Sequence, residues 1–518
     1  MRALLSILAA LAGVAAVPAA AQITRAEITR AEITGGTVAG EAEEGLSMFK
    51  GIPFAAPPTG ERRWRAPGPV VPWSGVREAR AFGPACMQAG PMLRQMGSPQ
   101  PMSEDCLFAD VWTPAESPAE KLPVIVWIHG GGYTGGAPSV PLYDGANFAK
   151  SGVVFVSLAY RLGAFGFLAS PELSAESQQA SGNYGLLDMV AGLEWVRDNI
   201  DAFGGDPERV TVMGHSAGSS AVSILAASPL ARGLIDGIIA ESGANFAPAQ
   251  DGEPFAGAGL STLAAGERQG AAWLQGLGAG DLAAARALPA DALNAGQAGE
   301  GAPPWRPKLD GYVLPADQVA LWQAGEFADV PLLLGVTSNE WGAARAQPDF
   351  AASVREGYGA FAPQVLAAYP HASPEEAANS ARRLANESAM DANAYIWARL
   401  HAEHARSPVW YYYFHNAPEG SGHGSEVSLV FGNQDARPGR DPWDERTRAL
   451  SRQLQDYWVN FAKSGDPNGA DAPIWPRFTP EKPSVLQLGL ETKVVDVPGR
   501  DRLDVLADYF AWRRENGG

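Results

Sequence analysis

Cysteine is nearly absent: Cys86 and Cys106 are the only two in 518 residues. With no histidine or further cysteine close by in sequence, the pair is a poor zinc site. Long hydrophobic runs are scarce too. Past the first 21 residues no stretch approaches about 18 uninterrupted apolar positions, which excludes a spanning helix there. Basic residues are in deficit, 39 Lys and Arg against 57 Asp and Glu, for a net charge of −18. That balance argues against nucleic acid and anionic membrane surfaces as partners. No linker-like shift in composition divides the chain, so residues 22–518 read as one domain despite their length. Hydrophobic residues make up 46%, enough for a large core in a chain of this size.

The amino terminus carries one early arginine, an apolar run over residues 3–17 and the small residues Ala19, Ala20 and Ala21. This pattern predicts a secretory signal peptide over residues 1–21, and hence a secreted or periplasmic protein. In such a chain an even cysteine pair reads as a disulfide. It closes a loop of about 20 residues, worth about 3 kcal/mol through the entropy of the unfolded chain. Two free buried thiols are the other reading. Residues 23–34 write a five-residue unit twice and begin it again, too short for a repeat architecture. They read as an extended or flexible lead-in to a strand near residues 36–38.

The chemistry gathers around residues 203–220. A β-branched run over 209–213 is long enough for one buried strand, and the small apolar residues of 217–227 favour a helix. Between them stands Gly214-His215-Ser216-Ala217-Gly218, the G-x-S-x-G pattern. A tight strand-to-helix turn holds such a serine strained and exposed, and only small neighbours leave it room. The adjoining helix N-terminus favours negative charge developing there. Further buried runs cover 124–128, 153–158, 237–240, 331–336 and 409–414, and a helical period runs over 184–200. Strands alternating with helices predict an α/β architecture with a mostly parallel sheet, whose ligands bind at the strands' carboxyl ends. The run at 124–128 ends in His129-Gly130-Gly131-Gly132, whose backbone N–H groups are open to whatever docks there. Glu340 follows the run at 331–336, and His423 follows that at 409–414 after a short loop. Seven histidines compete for the role of base. His401 and His404 sit in a helical stretch, His371 in a proline-flanked loop and His415 at a strand end without a glycine loop. His423 has both the chain order and the place at the sheet's carboxyl edge. His215 adjoins the serine, and an elbow is expected to point that side chain elsewhere.

At these residues the chain resembles the type-B carboxylesterase/lipase family, the cholinesterase-like branch of the α/β hydrolases. The likeness extends to Phe49-Lys-Gly-Ile-Pro-Phe-Ala-Ala-Pro-Pro-Thr-Gly60 and to Ser103-Glu-Asp-Cys-Leu-Phe108. It continues in Tyr160-Arg-Leu-Gly-Ala-Phe-Gly-Phe-Leu168 and Gly182-Asn-Tyr-Gly-Leu-Leu-Asp188. His423-Gly-Ser-Glu426 and Asn460-Phe-Ala-Lys-Ser-Gly-Asp-Pro-Asn468 complete it, and only about residues 245–308 lack such motifs. The resemblance implies an α/β-hydrolase fold with helical and loop insertions over the carboxyl edge of the sheet. It implies Ser216 as nucleophile, His423 as general base and Glu340 as the acid that orients it. It implies an oxyanion hole from the N–H groups of Gly131, Gly132 and Ala217, and it supports the Cys86–Cys106 pairing.

Three departures stand out. The family commonly has glutamate where His215 stands, and glycine where Trp341 follows the acid. Cholinesterases carry a tryptophan in the disulfide loop that binds a quaternary ammonium by cation–π attraction, and the loop here has no aromatic residue. Choline esters are therefore not the expected substrate. The expected activity is hydrolysis of small-molecule carboxylic esters through an acyl-enzyme, with no metal and no organic cofactor; an oligomeric state is not implied. One alternative is a lipase for longer acyl chains, which would want a large apolar lid. The Ala- and Gly-rich residues 247–302 offer no strongly amphipathic helix with bulky apolar side chains. The other is a binding protein on an inactive esterase scaffold, which would have lost part of the triad. Tyr133, Trp305 and Trp341 are candidate pocket aromatics, with core packing the alternative for each.

Overall fold

Side chains that alternate between two cores explain the central strands. In Leu122–Ile128, Val124, Val126 and Ile128 join one buried cluster, while Ile125 and Trp127 join another. Both faces are covered, so the strand reads as one apolar run. The computed structural model describes residues 27–251, 259–299, 301–341, 349–434, 442–470 and 472–516. The signal peptide expected over residues 1–21 lies outside them.

The main sheet has 11 strands. In chain order they are β1 (Glu41–Glu43), β2 (Leu46–Pro53), β3 (Phe108–Thr113), β4 (Leu122–Ile128), β5 (Val154–Leu158), β6 (Gly205–His215), β7 (Gly237–Glu241), β8 (Leu332–Thr337), β9 (Val409–His415), β10 (Ser484–Gly489) and β11 (Lys493–Asp496). Their spatial order is β11-β10-β9-β8-β7-β6-β4-β5-β3-β2-β1. From β10 to β5 every neighbouring pair is parallel, and the pairings at both edges are antiparallel. The mostly parallel α/β sheet expected from the sequence is present. Helices α1 (Tyr184–Asn199) and α2 (Ala217–Ala227) bury Leu186, Val190, Leu193, Val222 and Leu225 in the first core. Helix α3 (Glu445–Ser464) buries Leu454, Tyr457, Trp458 and Phe461 in the second, giving three layers.

The expected strand near residues 36–38 is Gly36–Ala39, and the lead-in before it is extended at Arg30–Ile33, which pairs with it antiparallel. One expectation needs correction. Within residues 247–302, helix Leu263–Gly276 buries Trp273 and Leu274, and Trp273 packs edge-on against Trp305. Small residues hid this helix, since Gly266 and Gly270 approach Lys308 and the Ala169 backbone closely. The remaining insertion between β8 and β9 includes helices Pro374–Asn386 and Ala392–His404, joined by a π-helical turn at Glu387–Asp391. Among the described residues no helix is long and apolar enough to cross a membrane.

The motifs around Cys106, Arg161 and Asp188 are joints of this scaffold. Cys86 and Cys106 form the disulfide. The Asp188 carboxylate, fully buried, accepts from Arg161 Nε at 2.8 Å, from Nη2 at 2.7 Å and from the Arg161 backbone N–H at 3.0 Å. That pair ties the segment after β5 to the start of α1. The same segment braces the glycine loop: Tyr160 Oη donates to the His129 carbonyl at 2.8 Å, and Gly163 N–H donates to the Tyr133 carbonyl at 2.7 Å.

Candidate active site

β6 and α2 meet at Ser216, whose φ of 57° and ψ of −123° put a non-glycine residue in a costly region. The turn survives because its neighbours lack side chains. A Cβ on Gly218 would lie 2.0 Å from the Ile128 carbonyl oxygen, and one on Gly214 would lie 2.5 Å from the Gly218 carbonyl carbon. Ser216 N–H extends the ladder by donating to the Glu241 carbonyl at 2.8 Å. The serine hydroxyl thus stands at the carboxyl edge of the parallel strands, ahead of the N-terminus of α2.

The three residues expected to act together do meet. Ser216 Oγ lies 2.8 Å from His423 Nε2, and His423 Nδ1 lies 2.5 Å from Glu340 Oε2. With Nδ1 protonated, the ring donates to the carboxylate, leaving Nε2 to accept from the serine. The His423 backbone N–H donates to the Glu340 carbonyl at 2.9 Å, so the two loops are also joined by main chain. Glu340 is 2% exposed, yet its second oxygen is satisfied by Thr337 N–H at 2.7 Å and Ser242 Oγ at 2.8 Å. Burial by itself would lower the pKa of His423. The charge of Glu340, its hydrogen bond and the charge of Glu426 outweigh this and hold it above the ordinary 6.5.

Glu426 is fully buried, accepts from Tyr412 Oη at 3.2 Å and lies 3.4 Å from Ser242 Oγ. Burial, then the charge of Glu340, pushes its carboxyl up to about 7. Behind it Glu241 is driven well above the usual range by burial and by Glu426, while Trp458 Nε1 donates to it at 2.7 Å. His423 therefore faces one firmly hydrogen-bonded carboxylate and, further in, acids that give up protons reluctantly.

Of the glycine loop, Gly131 takes φ +119° and approaches Gly135 so closely that a Cβ would lie 2.0 Å from its carbonyl oxygen. Gly130 passes beside Ser216, where a Cβ would lie 3.0 Å from Ser216 Cβ. Among the described residues, the N–H groups of Gly131, Gly132 and Ala217 donate to no protein acceptor.

Four other histidines lie in different surroundings. His129 stacks on Tyr160, and burial lowers its pKa to about 4. His401 is also buried and lowered to about 4, His371 meets the Tyr369 carbonyl, and His415 meets Ser338 Oγ. His215 departs from expectation. Its side chain does not point away: its ring lies 4.6 Å from the His423 ring, centroid to centroid. Space for it comes from Gly424, where a Cβ would lie 2.9 Å from His215 Cε1. Burial, then the proximity of His423, holds its pKa well below 6.5, so it is a neutral ring near pH 7. Trp305 is buried and donates from Nε1 to the Gln297 carbonyl, and Tyr133 is buried against Phe167. Trp341 is at the site.

Three contributors were not apparent from the sequence. Ser242 follows β7 as Ser216 follows β6, also at positive φ, and that shared offset was the available signal for it. Glu426 ends the His423-Gly-Ser-Glu426 motif, where spacing alone assigns it no role. Asn386 precedes the π-helical turn, accepts from Trp341 N–H at 3.0 Å and donates to Asn339 Oδ1 at 3.1 Å. It thereby grips both neighbours of Glu340, and nothing local in the sequence announces it.

A serine poised at a strand-to-helix elbow, facing a histidine backed by a buried carboxylate, places the chain among the α/β hydrolases. Comparison narrows the class. The profile of the Carboxylesterase family matches residues 24–505, and the chain belongs to that family: it is a serine carboxylesterase, a carboxylic ester hydrolase. It is 37% identical over 480 residues to the para-nitrobenzyl esterase of Bacillus subtilis (strain 168), covering 89% of this chain and 95% of that one. It is 35% identical over 491 residues to the fumonisin B1 esterase of Sphingopyxis macrogoltabida, covering 90% and 87%. A solved PNB esterase structure superimposes with a TM-score of 0.80 at 34% identity, covering 92% of this chain and 99% of that one.

Proposed function

We propose that Ser216, His423 and Glu340 carry out ester hydrolysis as nucleophile, general base and orienting acid. The observation that carries this is the unbroken hydrogen-bonded line from Ser216 Oγ through the imidazole to Glu340, at 2.8 and 2.5 Å. Ser216 Oγ attacks the ester carbonyl carbon while its proton passes to His423 Nε2. The carbonyl oxygen becomes an oxyanion received by the N–H groups of Gly131, Gly132 and Ala217. Each such donor is worth about 3 to 4 kcal/mol of transition-state stabilisation. Collapse breaks the ester C–O bond, and the departing alcohol takes the proton from Nε2. Water then attacks the acyl-enzyme and gives its proton to the same nitrogen. The acid leaves and Ser216 recovers its hydrogen. Glu340 keeps the ring oriented and balances the imidazolium without taking its proton.

The substrates are small carboxylic esters. An export signal over residues 1–21 and a secreted or periplasmic location fit the Cys86–Cys106 disulfide, which persists in oxidising compartments. Purified Ser216→Ala and His423→Ala variants, compared with wild type on p-nitrophenyl acetate and butyrate, test the assignment. Both are expected to fold and to lose turnover. Comparable turnover by the folded Ser216→Ala protein would refute it. Retention of secretion after deletion of residues 1–21 would refute the export signal.

A further inference from the structure

Trp341 is a large aromatic side chain left 49% exposed at the mouth of the site. Its ring centroid lies 4.7 Å from that of His423, with the planes only 27° apart, so the indole presents its face to the imidazole. This placement is held by the backbone. Trp341 N–H is fixed to Asn386, Asn386 also holds Asn339, and the Glu340 between them is joined to His423 by side chain and main chain. The indole cannot drift from the base without disturbing the loop that carries the acid.

The π-face of an indole is a site of negative potential, and a cation within about 6 Å of the ring is attracted to it. To act as the base His423 must start neutral, and it becomes a cation as it takes the serine proton. An interaction with the cation only is gained in the transition state and not in the ground state, which is the kind that raises rate. Glu340, engaged at Nδ1, and the charge of buried Glu426 also favour the cation, so the indole adds to them, while His215 is a neutral ring. Glu241 and Asp391, further back, are both held protonated well above the ordinary carboxyl range by burial and neighbouring acids.

We propose that Trp341 is a positioning residue for the base, whose indole face stabilises the His423 ring in the imidazolium form it takes during acyl transfer. The proposal rests on His423 being the base. It assigns a catalytic use to a half-exposed aromatic whose alternatives are a water shield for the imidazole or a passive side wall.

These alternatives separate in the pH profile of kcat/KM. Removing a stabilised cation lowers the plateau and also shifts the acid limb to lower pH, because the base is then harder to protonate. The two effects cancel at the acid end. Trp341→Leu, assayed with p-nitrophenyl acetate, is therefore expected to lose about two- to fivefold of kcat/KM on the plateau and to converge with wild type below the acid limb. The loss is expected in kcat rather than KM, and Trp341→Phe is expected to restore most of it. A loss of equal proportion at every pH would leave only a side wall. An acid limb moved to higher pH would mean that the indole acts by excluding water. An unchanged profile would also overturn the proposal. Failure of the base assignment looks different: wild type would then show no acid limb, or His423→Ala would stay active.

Discussion

Asp188→Asn tests whether the buried ion pair near the active site is a structural necessity. The exchange preserves shape and removes one charge. Arg161 then remains 3% exposed, with its main anchor gone and the Arg65 carbonyl as a neutral partner at 2.8 Å. A guanidinium cannot shed its proton, so it must stay charged in a site that no longer balances it. Breaking a buried pair in this way costs about 3–5 kcal/mol. Arg161→Met makes a useful contrast, because the carboxyl it strands can take up a proton and become neutral. Asp188→Asn is thus expected to be the more damaging of the two, and Arg161→Met to recover part of its deficit at pH 5 relative to pH 8. The urea midpoint followed by fluorescence of the 15 tryptophans reports both, with thermal inactivation half-life as a second readout where unfolding is not two-state. Because the Arg161 segment also braces the glycine loop, kcat should fall further in Asp188→Asn than in Arg161→Met. A Asp188→Asn protein within about 1 kcal/mol of wild type, or an Arg161→Met protein damaged more severely, would refute the reasoning.

The acid limb of kcat/KM is expected above the ordinary histidine value of 6.5, because Glu340 and Glu426 hold the His423 proton; Glu426→Gln should move that limb to lower pH, and a higher limb would be wrong in sign. Gly131→Ala forces a side chain onto a residue at φ +119° and against the Gly135 carbonyl, so the loop must shift. Loss of one oxyanion donor there is expected to cost about 100- to 1,000-fold in kcat, measured on a short-chain ester, with the fold intact by circular dichroism. Replacing Cys86 and Cys106 together by serine should lower stability by about 3 kcal/mol in urea titration, whereas no change would mean that the cross-link adds nothing to this loop.

Much of the catalytic geometry was legible because it follows from local chain rules. Strands β4, β5, β7, β8 and β9 are buried on both faces and appear as plain apolar runs. The elbow is encoded by small residues around Ser216, and chain order together with a place in a glycine loop at the sheet's carboxyl edge separated His423 from six other histidines. What escaped was set by distant packing. Strand β3 is interrupted by buried Asp110, which looks unsuited to a core until Gly51 N–H is found donating to it at 2.8 Å. The direction of the His215 ring depends on Gly424, more than 200 positions away, having no side chain. Asn386 owes its grip on the acid loop to the π-helical turn after it, which no periodicity in that segment marks. Trp341 was noticed as a departure, but that its ring lies on the base is a fact of tertiary structure.

The most direct test of the catalytic assignment is covalent. A fluorophosphonate should inactivate the wild-type protein at one equivalent, with peptide mass spectrometry placing the adduct on Ser216 Oγ. His423→Ala should slow that labelling severely, since it removes the base 2.8 Å from the nucleophile. An adduct on another residue, or full inactivation without modification of Ser216, would contradict the assignment.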